Sequence, residues 1–323
     1  MIETSNKCCE VFPIIVPDRL LKTVNFFLVK RDNSLTLIDA GWNNEKCWNA
    51  LNHALMKNGL TLTDLTEIIL THHHIDHIGL VNRIVSHHPI PVYTSPQSIP
   101  RLKRDKDFLE MRIEFYKKLY QEMGCGETAE QRIDYLIKAV IDNKDNTIEA
   151  DISAITAKSL LNFEIIEVPG HAPDQLAFLD QKENEIFVGD LLLEHISSNA
   201  LVEPDNLGKR LPTVSQQIES LRKCMELDAK LVYPGHGSLI KNPNDLIKKR
   251  IERVEIKGQR LIELIKSGVT TANDIAITWY KKVYYEQFGL VMSEIIGHLD
   301  YLETQRKIEK QLINGVWQYK DIS

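Results

Sequence analysis

The sequence predicts an α/β protein of layered sheets and helices, with a helical insertion and a helical C-terminal region. Three observations lead there. Short apolar runs alternate with segments of helical period through the first hundred residues. A highly charged stretch from 100 to about 151 then carries a single apolar stripe at helical spacing. Beyond it the β character returns, and helical periodicity takes over almost to the C-terminus.

Residues 12–16, 23–30 and 35–39 read as consecutive strands, with Arg31-Asp32-Asn33-Ser34 as a hairpin turn between the last two. Residues 43–57 carry helical periodicity through Trp48, Leu51 and Leu55, and Gly59 stops it. Residues 67–70 form a short buried strand that runs into Thr71-His72-His73-His74, followed by a helix over about 76–87 and a strand at 91–95. In the 100–151 segment, Phe108, Met111, Phe115 and Leu119 share one helix face until Gly124-Cys125-Gly126 breaks it. An insertion between two core strands suits a substrate lid or a solvated surface bundle. Strands at 163–168, 175–179 and 185–188, a helix over about 214–227 and a strand at 230–233 complete the α/β part. From 242 the chain is helical until 308, and 307–319 reads as a hairpin turning at Asn314-Gly315. The expected division is a main domain over 1–240, interrupted by the insertion, and a winged-helix-like domain over 241–323.

A chain of 323 residues is long enough for a large core and a second small domain. Its net charge of −6 gives no global basic surface to attract nucleic acid or an anionic membrane. Cys8, Cys9, Cys47, Cys125 and Cys224 are odd in number and show no C-x-x-C spacing, which points to a reducing compartment. The first residues lack the basic end and apolar stretch of a signal peptide, and no window approaches the roughly 20 apolar residues of a spanning helix. A cytoplasmic protein is expected.

The chemistry concentrates at His72-His73-His74-Ile75-Asp76-His77, four histidines and an aspartate in six residues. Packed imidazoles repel when protonated and need partners when neutral, and a divalent ion resolves both. At a strand end alternate side chains point the same way, so His72 and His74 can share one ion while Asp76 and His77 are displaced toward a second. His73, between them, faces away and is expected to be structural. Three further metal-type residues, His171, Asp190 and His236, each follow a glycine at a predicted strand end, where the backbone can turn sharply.

This pattern resembles the metallo-β-lactamase superfamily over about residues 10–240: H-x-H-x-D-H at His72 to His77, then Gly170-His171, Gly189-Asp190 and Gly235-His236-Gly237. The resemblance implies an αββα sandwich with its site along one edge. It also implies His72, His74 and His171 on one divalent ion, Asp76, His77 and His236 on another, and Asp190 bridging them. Zinc is the expected metal, with manganese or iron as alternatives, and a hydroxide bridging the two ions is the expected nucleophile. Asp76 is a further candidate for proton transfer. Asp39, in Ile38-Asp39-Ala40-Gly41, resembles the family's I-D-[TS]-G and is expected to steady the histidine loop. The commonest class B β-lactamases have Cys where Asp190 stands, which disfavours antibiotic hydrolysis. Flavodiiron proteins have Glu where His74 stands. Glyoxalase II-type thioesterases share all seven ligands, but their glutathione-binding residues are not found here. The segment from Gly189 to Asn199, with the C-terminal tail, looks like a bacterial group of hydrolases. That tail is also similar to the one in the β-lactamase-like endoribonuclease of mitochondria.

Tyr233, Glu194, His195 and Asn199 flank the ligands and are candidate substrate contacts. The expected function is hydrolysis of a small-molecule ester, thioester or lactone. A nuclease acting on RNA is the alternative that the tail suggests, and a non-catalytic metal-binding regulator is a third.

Overall fold

In the computed structural model, which describes residues 9–31 and 33–323, the apolar runs pair into two six-stranded sheets. Cys8, and Asp32 of the expected 31–34 turn, lie outside the described residues. The first sheet follows chain order: β1 (Cys9–Asp18), β2 (Lys22–Arg31), β3 (Ser34–Ile38), β4 (Glu67–Ile69), β5 (Val92–Thr94) and β6 (Ile152–Ala154). β1 to β3 are antiparallel, and β3 to β6 are parallel. β1 is longer than its apolar run suggests and passes through Pro13 and Pro17, which an edge strand tolerates because one side of it needs no ladder donor.

The second sheet holds β7 (Ser159–Leu160), β8 (Phe163–Glu167), β9 (Leu176–Asp180), β10 (Glu185–Gly189), β11 (Leu231–Pro234) and β12 (Ile240–Lys241), in the spatial order β12-β11-β10-β9-β8-β7. Only β10 and β11 pair in parallel. The sheets pack face to face through Phe27, Val29, Ile38 and Ile69 from one and Phe163, Phe178, Phe187 and Tyr233 from the other. Helices Glu45–Lys57 and Val81–His87 cover the outer face of the first sheet through Leu51, Leu55, Val81 and Ile84. Helix Thr213–Glu226 and the first turns of helix Asn244–Lys266 cover the second through Leu221, Cys224 and Ile247. Helix, sheet, sheet, helix is the αββα arrangement.

The insertion enters between β5 and β6 and consists mainly of two helices, Lys106–Glu122 and Gly126–Asp142. Their apolar faces do not rest on the sheets. Tyr116, Leu119, Tyr120 and Ile133 share one core with Leu261, Ile275, Met292 and Ile296 of the C-terminal helices, and with Ile308 and Tyr319 of the final hairpin. That hairpin, β13 (Ile308–Ile313) and β14 (Val316–Asp321), turns at Asn314-Gly315, both at positive φ, as a two-residue turn of the I′ kind requires.

One expected helix is broken. Residues 76–87 do not run continuously: a single turn, Ile75–Ile78, is followed by the separate helix Val81–His87. The cause is tertiary. The Gly79 amide donates to the Gly41 carbonyl at 2.7 Å, and a Cβ on Gly79 would lie 2.2 Å from the Asn43 nitrogen. The turn that carries Asp76 and His77 is thereby seated on the 40–43 loop. Among the described residues no helix is long and apolar enough to cross a membrane, and Cys9, Cys47, Cys125 and Cys224 are buried free thiols.

Candidate metal centre

The site lies where β4, β8, β10 and β11 end and β2 begins. His72 to His77 leave β4, His171 follows β8, Asp190 follows β10 and His236 follows β11. The structure brings all seven side chains together. His72 Nε2 and His171 Nε2 lie 2.9 and 3.1 Å from His74 Nδ1. Asp76 Oδ2 lies 3.2 Å from His236 Nε2 and 3.8 Å from His77 Nε2. Between these groups stands Asp190: Oδ2 is 3.4 Å from His171 Nε2 and 3.2 Å from His236 Nε2, and Oδ1 is 3.4 Å from His77 Nε2.

The hydrogen bonds fix which ring nitrogen is free. His77 Nδ1 donates to Asp39 Oδ2 at 2.7 Å, His236 Nδ1 to the Thr23 carbonyl at 2.8 Å, and His171 Nδ1 to the Asn199 carbonyl at 2.9 Å. These acceptors cannot donate, so in the neutral ring the proton sits on Nδ1 and Nε2 turns a lone pair inward. Thr71 Oγ1 donates to Asp39 Oδ2 and so accepts from His72 Nδ1 at 3.0 Å, which leaves His72 Nε2 bare as well. His77 Nε2, His236 Nε2 and Asp190 Oδ1 are buried with no hydrogen-bond partner among the described residues. Buried polar atoms without partners are costly, and several acceptors facing one another call for cations. Three donor groups, His72/His74/His171, His72/His77/Asp190 and Asp76/His77/His236, are each tight enough to hold an ion. The residues therefore fit divalent metal.

The electrostatics divide the histidines: three are held neutral, and two keep a proton beside the carboxylates that a cation would displace. Burial holds His72 and His74 well below the ordinary imidazole range and lowers His171, so they are neutral as ligands must be. For Asp76 burial works against ionisation, but the His77 and His236 imidazoles beside it outweigh burial and hold the carboxyl at about 2. Asp190 is likewise held far down, its imidazole neighbours outweighing burial. Burial also opposes the proton on His77 and His236, yet Asp39 and Asp190 chiefly at the first and Asp190 at the second raise them, His236 to about 9.

Asp39 is hydrogen-bonded to the histidine loop at three points. Oδ1 accepts from the Thr71 amide at 2.8 Å, and Oδ2 takes both the Thr71 hydroxyl and His77. His73 faces away and bonds Asp174 Oδ1 at 2.7 Å, and the same carboxylate accepts from Ser98. The glycines before the ligands serve more than one purpose. Gly189 has φ +52, but Gly235 is needed for space, since a Cβ there would lie 2.5 Å from both Asp190 Oδ1 and His77 Cε1.

The flanking candidates divide. His195 reaches the site: its ring packs on Gly237, next to His236, and neither ring nitrogen has a partner among the described residues. Glu194 is exposed, and its carbonyl accepts from Arg250. Asn199 acts through its carbonyl on His171, while its side chain donates to the Leu290 carbonyl at 3.0 Å. Tyr233 does not line the site. It is stacked on Phe187 in the core between the sheets, with its hydroxyl donating to Glu185. Strand alternation turns it away although Pro234 to His236 lead into the centre.

Sequence reasoning missed Thr23 and Asn25 on β2. Buried Asn25 donates to the Pro234 and Gly237 carbonyls at 3.0 and 2.9 Å, and Thr23 Oγ1 accepts from the Gly237 amide at 2.8 Å. Together they hold the loop that presents His236. The available signal was two polar residues at one end of an otherwise apolar strand.

With this geometry in place, the comparisons with known proteins are specific. The family model described as the metallo-beta-lactamase superfamily matches residues 20–236. The chain belongs to the metallo-beta-lactamase superfamily. It is 31% identical over 285 residues to the probable metallo-hydrolase YqjP of Bacillus subtilis, covering 87% of this chain and 88% of that one. It is 23% identical over 242 residues to an atrochrysone carboxyl ACP thioesterase of Aspergillus fumigatus, covering 75% of this chain and 59% of the relative. Among solved structures, a metallo-beta-lactamase family protein from Thermus thermophilus superposes with a TM-score of 0.78 at 21% identity, covering 97% of this chain and 98% of the other. A beta-lactamase domain protein from Burkholderia ambifaria gives 0.71 at 17% identity, covering 97% and 92%. In both the likeness is one of fold, and it extends through the insertion and the C-terminal helices. The chain is a hydrolase of this superfamily.

Proposed function

We propose that this chain is a two-metal hydrolase acting on a small ester, thioester or lactone. The observation that carries the reading is Asp190, whose one carboxylate oxygen faces a histidine of each donor set. His72, His74 and His171 would hold one ion and Asp76, His77 and His236 the other. The histidine-rich set suits zinc best, with manganese or iron as alternatives. When bound, the ions supply a nucleophile from water at neutral pH and polarise the reacting carbonyl.

The chain's own residues do the rest. Asp39, Thr23 and the Asn199 carbonyl orient His77, His236 and His171, so the donor set is organised before any ion or substrate arrives. Asp76, ionised down to about 2, is a weak base, and its place is that of a ligand. His195, whose two buried ring nitrogens have no partner among the described residues and whose ring packs beside His236, is our candidate for a substrate contact once a ligand opens that edge. An acyl substrate is favoured by the similarity to a protein named as a thioesterase. It is favoured also by the use to which the basic helix Asn244–Lys266 is put. Arg250 donates to the Leu193 and Glu194 carbonyls, Lys257 pairs with Glu294 and Arg260 lies over Trp279. Those three cations are engaged within the protein rather than offered to a phosphate chain, while Lys248 and Lys249 stay exposed. Four buried free thiols suit a reducing compartment such as the cytoplasm.

The test is metal analysis joined to a parallel substrate panel of thioesters, lactones, phosphodiesters and single-stranded RNA. We expect close to two ions per chain, acyl hydrolysis lost on strong chelation, and no turnover in folded His72→Ala or Asp190→Ala protein. Cleavage of RNA with no acyl hydrolysis would overturn the substrate class. Full metal loading with no turnover of any kind would return the chain to a binding role.

A further inference from the structure

We propose that the cavity between the insertion and the C-terminal helices is an anion-recognising subsite, in which Arg132 receives a carboxylate or phosphate at the far end of the substrate. The naming of the ligand as substrate rests on the hydrolase reading; the existence of the subsite does not.

The cavity measures about 470 Å³, within the size range of small-molecule pockets, and Tyr120, Tyr135, Tyr285 and Phe288 supply much of its wall. Its other charged groups are already matched. Glu203 is buried and paired with Arg112, and Glu286 pairs with Lys282 at 3.1 Å. Arg132 has no carboxylate within ion-pair reach among the described residues, and its Nε is buried without a hydrogen-bond partner. Its position is nevertheless fixed. The guanidinium stands 4.9 Å above the Tyr135 ring and lies against Gly289, where a Cβ would be 3.1 Å from Nη2. A guanidinium whose buried Nε has nothing to donate to among the described residues is an expensive arrangement for structure alone. It is the arrangement that a bidentate oxyanion completes.

The subsite is joined to the metal centre by one short relay. Leu290 lines the cavity, and its carbonyl accepts from Asn199 Nδ2 at 3.0 Å. The Asn199 carbonyl in turn holds His171 Nδ1 at 2.9 Å. Leu290, on the cavity wall, is thus tied to the residue that orients His171, and on this tie the anion is assigned to the far end of a substrate held at the donor set. Tyr135, Tyr285 and Leu290 are 59%, 62% and 47% exposed, an apolar rim suited to a flat or aliphatic arm.

The experiment has a binding arm and a turnover arm, each on the full metal-loaded chain. Phenyl phosphate and benzoate are titrated separately into wild type, Arg132→Ala and Arg132→Gln by calorimetry, with circular dichroism to confirm folding. We expect one or both to bind and to lose about tenfold or more in affinity in the variants, as removal of a charge-assisted hydrogen-bond partner implies. The tighter of the two identifies phosphate or carboxylate as the natural end group. Binding that survives both variants lies at the metals and overturns the subsite, as does no binding to wild type. In the turnover arm, adipoyl and hexanoyl thioesters differ only in a terminal carboxylate. Wild type should prefer the adipoyl compound, and Arg132→Gln should erase that preference through KM, with Arg132→Lys recovering part of it. A preference that is absent, or indifferent to residue 132, overturns the proposal while leaving the hydrolase intact. Arg132-dependent binding without turnover of either thioester would instead keep the subsite and overturn the thioester as the substrate that occupies it.

Discussion

At the scale of the residue, Asp39 shows how much one side chain can settle. It sits at φ +58, a region that Asp and Asn tolerate and most residues avoid, and its carboxylate joins Thr71 to His77. Asp39→Asn keeps the backbone preference and most of the volume but removes the charge that supports His77. We expect a folded protein that melts earlier in the metal-free state, because His77 and the Thr71 hydroxyl lose their acceptor, and about 10–100-fold weaker metal binding. Chelator competition measures it, and an unchanged affinity would show that the charge is dispensable. The seven candidate ligands were legible because they gather in the motif that follows one apolar run or stand directly after a glycine at the end of another. The residues that orient them were not. Thr23 and Asn25 meet the 234–237 loop across more than two hundred positions, and no local pattern announces a partner so distant. Tyr233 misled for the converse reason: nearness in sequence to His236 says nothing about which face of a strand a side chain takes.

At the scale of the element, the stretch that leaves Asp190 is tied to the insertion by Glu203. Its carboxylate accepts from Arg112 Nε at 2.8 Å and from the Tyr116 hydroxyl at 2.9 Å. Burial opposes its charge, but Arg112 above all holds it down to about 2 from the usual 4.5. A depressed carboxyl stabilises the fold above its unfolded value, and that stabilisation fades as pH falls through its folded one. Glu203→Gln strands the Arg112 charge and should cost about 3 kcal/mol at pH 7. Denaturant unfolding across pH should show wild type and variant converging between about 4.5 and 2; a constant gap would mean that packing, not charge, accounts for the loss. Long elements were easier to read than short ones here. The 17-residue helices of the insertion declare themselves by period, whereas β6, β7 and β12 have three, two and two residues and no period to read. The break at Gly79 was hidden as well, because its cause is the 40–43 loop rather than the helix sequence.

At the scale of the whole molecule, the order of elements suggests a division near residue 240, but the packing is shared across it. Helix Asn244–Lys266 places Ile247 in the layer outside the second sheet and Leu261, Ile262 and Ile265 in the core of the C-terminal part. The insertion, which belongs to the first part by sequence, buries Tyr116, Leu119, Tyr120 and Ile133 against helices of the second. The proposed Arg132 subsite is made of both parts and exists in neither alone. A chain of residues 1–241 would expose that insertion face, several large apolar side chains at about 1.5–3 kcal/mol each, and would lose the outer cover at Ile247. Calorimetry of the full chain should therefore show a single transition, with calorimetric and van't Hoff enthalpies in agreement. The 1–241 fragment should be insoluble or should melt well below the full chain. Two separable transitions, or a 1–241 fragment as stable as the whole and still binding two ions, would mean that the C-terminal helices are an accessory. The insertion would then owe its stability to the sheets rather than to the helices it packs against, and the core it shares with them would have to be a contact of convenience.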